Sequence, residues 1–135
     1  MIQLIAGIFL VLHGLIHLLY FAQSARLFEL APGMVWPDGS WAFSRLLGDR
    51  FTRRLAGFFC ILAAAGFVVS GAAIFFSQSW WATVVIASAA VSGVLYLLFW
   101  NGRLQHVDNQ GGIGVLIDLA ILIAVLVLRW PQFAF

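Results

Sequence analysis

The sequence predicts an all-α protein: an integral membrane four-helix bundle with an interfacial amphipathic helix in its first, cytoplasmic loop. Three observations predict it. Of 135 residues, 64% are hydrophobic and only 9% charged, against about 45–50% and about 25% in ordinary soluble domains. Four apolar runs approach the roughly 20 residues that a helix needs to cross about 30 Å of hydrocarbon. Trp80, Trp81, Trp100 and Trp130 stand at the ends of these runs, where aromatic belts meet lipid headgroups. A chain this short could not hide so much apolar surface from water, which excludes a soluble enzyme, and disorder has the opposite composition. The expectation is one transmembrane domain over residues 1–135.

The first run covers residues 2–22. Ala22-Gln23-Ser24 resembles a signal-peptide cleavage site, but the run lacks a positive leading segment and carries His13 and His17, so it is read as a true span. The second run is 55–76, the third 80–100 and the fourth 112–130. Inside lipid no water bonds the backbone, so each must be helical. Between the first two lies a long loop with Pro32, Gly33, Pro37, Asp38 and Gly39. Its second half, residues 40–54, alternates apolar and basic residues after Ser40, a helix-capping residue. This half is expected to lie in the interface, with Trp41, Leu46 and Phe51 in lipid and the arginines toward headgroups, either as a helix of its own or running straight into the second span. Ser77-Gln78-Ser79 makes a tight hairpin, and 101–111 is a polar turn. Gly111, Gly112 and Gly114 have no strand before them and no basic partner after, so they serve the turn and close packing rather than phosphate binding.

Arginine sets the orientation. Arg26, Arg45, Arg50, Arg53 and Arg54 lie in the first loop and Arg103 in the third, with only Arg129 on the opposite side. The positive-inside bias puts the long loop in the cytoplasm and both termini outside, in a bacterial inner membrane. The net charge of +2 is too small to imply nucleic acid. The single cysteine, Cys60, sits in an apolar run, where it packs and forms neither a disulfide nor a cysteine-rich metal cluster. Small residues gather in the middle two runs, including the Gly66/Ser70 and Ala89/Gly93 pairs. They allow close helix approach within the bundle or between protomers. The expected partners are therefore the bilayer and a second copy or a larger membrane complex.

Ionisable residues inside a span are costly, and they usually face the bundle interior. His13, His17 and Asp118 are the three here. The histidines are four apart, on one helix face, and Gly14 beside them admits a close neighbour. Counted along the helices, His17 lies about 8 Å and Asp118 about 9 Å from the cytoplasmic ends of their runs, with His13 deeper at about 13 Å. Should the first and fourth helices be neighbours, His17 and Asp118 are expected to pair. Two histidines and one carboxylate suit a divalent metal with open positions, and an imidazole can also ligate haem, although one helix cannot place both histidines on opposite faces of a porphyrin. The same pair could instead move a proton, or simply join two helices by a hydrogen bond. His106 and Asp108, in the polar turn, are read as solvated.

In length, helix count and its glycine-punctuated first span, Gly7 to His17, the chain resembles the DoxX-like group of small bacterial four-helix membrane proteins. The extended arginine-bearing first loop departs from that compact plan. The resemblance implies a link to membrane redox systems and assigns no site residues. Three functions stay open: a cofactor- or ligand-binding module using His13, His17 and Asp118, an accessory subunit of a larger complex, and a dimeric proton-coupled transporter relying on His17 and Asp118.

Overall fold

The computed structural model describes residues 1–34, 36–37, 40–102 and 110–134. Four α-helices occur among them: α1 (Ile2–Ser24), α2 (Ser44–Phe75), α3 (Trp81–Leu98) and α4 (Gly112–Leu122), the last continuing as a π-helical turn, Ile123–Val127. The described residues contain no strand. Helices α1, α2 and α3 are long and apolar enough to cross a membrane, while the apolar stretch Gly112–Val127 is shorter.

Apolar clusters around Phe67 and Phe99 form the core, and several polar side chains are buried with them. His13, His17, Gln23, Ser70, Ser92 and Asp118 are buried. Leu4, Leu12, Phe58, Leu97, Leu116 and Leu126 are all more than 50% exposed, so apolar surface covers every helix. Neighbours along the chain pack together, α1 on α2, α2 on α3 and α3 on α4.

Glycine makes the first of these contacts. A side-chain carbon added at Gly14 would lie 2.9 Å from the Ala64 carbonyl oxygen and 3.0 Å from Phe67 Cβ, and one at Gly71 would lie 2.8 Å from the Gly7 carbonyl. Helices α2 and α3 close in the same way, since a side chain at Gly66 would strike the Ser88 hydroxyl. Ser70 Oγ donates to the Trp81 carbonyl at 2.9 Å beside the hairpin. The small-residue faces of α2 are thus used within the chain. Gly93 differs, because a side-chain carbon there would meet nothing within 4 Å.

One helix boundary departs from expectation. The fourth run was expected to be helical over 112–130, yet regular helix ends at Leu122 and the π turn at Val127. Pro131 disfavours helical backbone at Trp130, and Arg129 adopts φ 50°. Leu128 and Trp130 then donate their N–H groups back to Ile123 and Ala124, which closes the helix end. The segment over 40–54 takes the second of its two expected arrangements and joins the second span. Gly48, at φ 71° and ψ 159°, interrupts it after one turn, a conformation that costs glycine little, and the rest of the segment continues directly into α2. Trp41, Leu46 and Phe51 are exposed, as a lipid-facing role requires, but Trp41 also has a structural task. Its indole N–H donates to the Leu97 carbonyl at 2.8 Å, its backbone N–H to Trp100 at 2.9 Å, and Ser40 Oγ to Leu98 at 2.6 Å. Together they satisfy carbonyls that the end of α3 leaves without helical partners.

The first loop also folds inward. Buried Gln23 donates Nε2–H to the Met34 carbonyl and accepts from Leu30 N–H, both at 2.9 Å. Trp36, 1% exposed, packs edge-on to Tyr20 and tilted against Tyr96. Helix α1 closes with Arg26 N–H on the Gln23 carbonyl and Leu27 N–H on Ala22. In this pattern the left-handed residue is usually glycine, but here it is Arg26, at φ 61°, at a cost of about 1 kcal/mol.

Candidate functional site

The site is built from all four helices. The buried face of α1 carries Leu10, His13, Gly14 and His17, one turn of helix separating the imidazoles. Helix α2 supplies Phe67, whose ring lies 4.6 Å edge-on from that of His13 and 5.4 Å from that of His17. Helix α3 supplies Ser92 and Tyr96, and α4 supplies Asp118. His13 is 4% exposed, and His17 and Asp118 are each 1% exposed.

Two short hydrogen bonds organise it. His13 Nε2 and Asp118 Oδ1 are 2.9 Å apart, joining the first and fourth helices. His17 Nε2 lies 2.7 Å from Ser92 Oγ, and its Nδ1 lies 2.9 Å from the His13 carbonyl. A carbonyl only accepts, so His17 Nδ1 carries the proton and donates. In the neutral ring Nε2 is then the lone-pair nitrogen, with the Ser92 hydroxyl donating to it. Asp118 Oδ2 is buried without a hydrogen-bond partner among the described residues, which is costly for a carboxylate oxygen. One ligating atom each from His13, His17 and Asp118 lies within 4.8 Å of the others.

The three expected residues therefore meet, but with exchanged partners. Asp118 bonds His13, and His17 turns to Ser92. The reason is vertical offset. Helix α1 runs on to Ser24, which leaves His13 about 16 Å from its end, while Asp118 is about 9 Å from the start of α4. The start of α4 is thus recessed by about 7 Å. Gly111 allows this, because at φ 87° it packs against the Tyr96 ring, where a side chain would collide. Gly114 meets the same ring, so these glycines serve the turn and close packing as expected. An apolar cavity of about 260 Å³ separates α1 from α4 on the other side of the site, with Phe9, Leu10 and Ile121 in its lining. These residues are one helical turn from His13 and Asp118.

Ser92 escaped the sequence reading as anything beyond a small packing residue. Its distinguishing feature is position: Ser88, one turn earlier, spends its hydroxyl on its own helix at Val84, while Ser92 reaches across to His17. Cys60 is buried and free, as expected. Arg103, His106 and Asp108 lie outside the described residues. Comparison of the chain with models of protein families, with curated proteins and with solved structures finds no match.

Proposed function

We propose that the chain is an integral membrane module whose His13, His17 and Asp118 bind one divalent transition-metal ion. The observation that carries this reading is the buried Oδ2 of Asp118, without a partner among the described residues, in a group whose candidate ligating atoms lie within 4.8 Å of one another. Two histidines and a carboxylate leave coordination positions open, and the lining of the apolar cavity between α1 and α4 comes within one helical turn of His13 and Asp118. Donors at about 2.0–2.2 Å from an ion require the group to contract, which rotation of the two imidazoles supplies. The His13 carbonyl, which accepts from His17 Nδ1, orients His17 as a ligand, and His17 Nε2 would exchange the Ser92 hydroxyl for the ion. The close packing of Phe9, Phe67 and Tyr96 around the imidazoles favours an ion over a porphyrin. Together with the likeness of plan to DoxX-like proteins, this reading links the module to membrane redox chemistry.

The exposed apolar residues on every helix support a lipid surround, with α4 as a fourth, shorter span. The arginine-rich end faces the cytoplasm and both termini lie outside. Leu46 and Phe51 dip into the interface beside the arginines. A second copy or a larger membrane complex would dock on a face that the chain leaves open, such as that around Gly93.

The test is titration of the purified full chain in detergent with Co²⁺ and Zn²⁺, following Co²⁺ absorption and bound metal by elemental analysis. One ion per chain is expected, with affinity falling about tenfold or more in Asp118→Asn and in His17→Ala. A folded wild-type chain that takes up no ion would overturn the reading, leaving the three residues as a polar latch between helices.

A further inference from the structure

A second cavity, of about 340 Å³, opens where the end of α1 meets the start of α2. That volume falls in the range of small-ligand pockets, about 300–1,000 Å³. Arg26, Arg50, Arg53 and Arg54 line it, together with Phe21, Ser24, Ala25 and Gly57. On α2 the contributors fall at positions 50, 53, 54 and 57, a single helical stripe. Arg26 faces them from the end of α1, and the two sides are tied together by Ser24 Oγ donating to the Arg53 carbonyl at 2.8 Å. Gly57 keeps the floor low, since a side chain there would press on the Phe21 ring at 3.3 Å.

The cavity is graded in polarity. Phe21, Ala25 and Gly57 form its apolar part and the guanidinium groups its polar part. Guanidinium forks match the oxygens of a phosphate group in geometry and charge. Basic pockets between spanning helices at the cytoplasmic side suit acidic headgroups. Arg26 adds an independent sign. It holds the left-handed position that closes α1, where glycine would fit without strain, and strained backbone concentrates at functional positions.

We infer that this cavity binds a phosphate-bearing anion, either the headgroup of an acidic membrane lipid or a free phosphate. The lipid source rests on the membrane-spanning reading above, and the free-phosphate source does not.

The test uses the full chain reconstituted in nanodiscs of phosphatidylcholine with phosphatidylglycerol, reading the lipid retained on extraction by native mass spectrometry. A parallel arm titrates inorganic phosphate into the detergent-solubilised protein by calorimetry. If the anion is a lipid headgroup, phosphatidylglycerol is retained over phosphatidylcholine, and the preference falls about tenfold or more in Arg50→Gln/Arg54→Gln and with added salt. If it is a free phosphate, the calorimetric arm binds with the same arginine dependence and no lipid is preferred. Neither lipid preference nor phosphate binding, or equal binding by the arginine variants, would overturn the inference. Retention of the chain in membranes through an alkaline carbonate wash scores the membrane reading separately, so a chain that stays embedded but ignores anions sinks this inference alone.

Discussion

Asp118→Ala is expected to destabilise the bundle by about 3–5 kcal/mol, the range for removing one partner of a buried pair. The variant strands His13 Nε2, which Asp118 Oδ1 meets at 2.9 Å, in a site walled by Phe9 and Phe67. The double variant His13→Leu/Asp118→Leu is expected to recover most of that loss, to within about 1 kcal/mol of wild type, because neither position then leaves a polar group stranded. Reversible unfolding in mixed detergent measures both. The pattern separates the two uses of the pair: the double variant folds and binds no metal. An Asp118→Ala protein as stable as wild type would mean that the contact contributes nothing to the fold.

Gly14→Val is expected to cost about 3 kcal/mol, at the upper end for overpacking. The new carbon would sit 2.9 Å from a backbone carbonyl, that of Ala64, which cannot swing aside as a flexible side chain would. Relief requires α1 to move off α2, and that movement carries the neighbouring His13 and His17 away from α3 and α4. Metal binding should therefore fall together with melting temperature. Gly93→Ala is the control. Its new methyl meets nothing within 4 Å, and alanine is the better helix former by up to about 1 kcal/mol, so the variant should melt at or above wild type. Equal melting of Gly14→Val and wild type would contradict the close crossing of α1 and α2.

Helix placement was legible where run length alone decides it. The first and third helices, expected over 2–22 and 80–100, are Ile2–Ser24 and Trp81–Leu98. Run length fails where other physics sets the boundary. It marks where lipid can surround a helix, not how far an arginine-bearing segment continues one, so α2 begins at Ser44 rather than near residue 55. It also takes no account of the backbone before Pro131, where the fourth helix stops short.

The members of the candidate site were legible because a charge inside an apolar run demands an explanation. Their pairing was not, because depth was counted from run ends taken to be level, whereas α4 starts recessed, with Gly111 and Gly114 against Tyr96. Ser92 was hidden among small residues that signal packing alone. The inward fold of the loop at Gln23 and Trp36 had no periodic signal to announce it, since it depends on single hydrogen bonds and one buried ring.

The most direct measurement is X-ray absorption at the metal edge of the Zn²⁺- or Co²⁺-loaded full chain in nanodiscs. Two imidazole nitrogens and one carboxylate oxygen at about 2.0–2.2 Å are expected, with one imidazole lost in His17→Ala and the carboxylate lost in Asp118→Asn. A shell of water oxygens alone, or one unchanged by either substitution, would contradict a metal centre at these three residues.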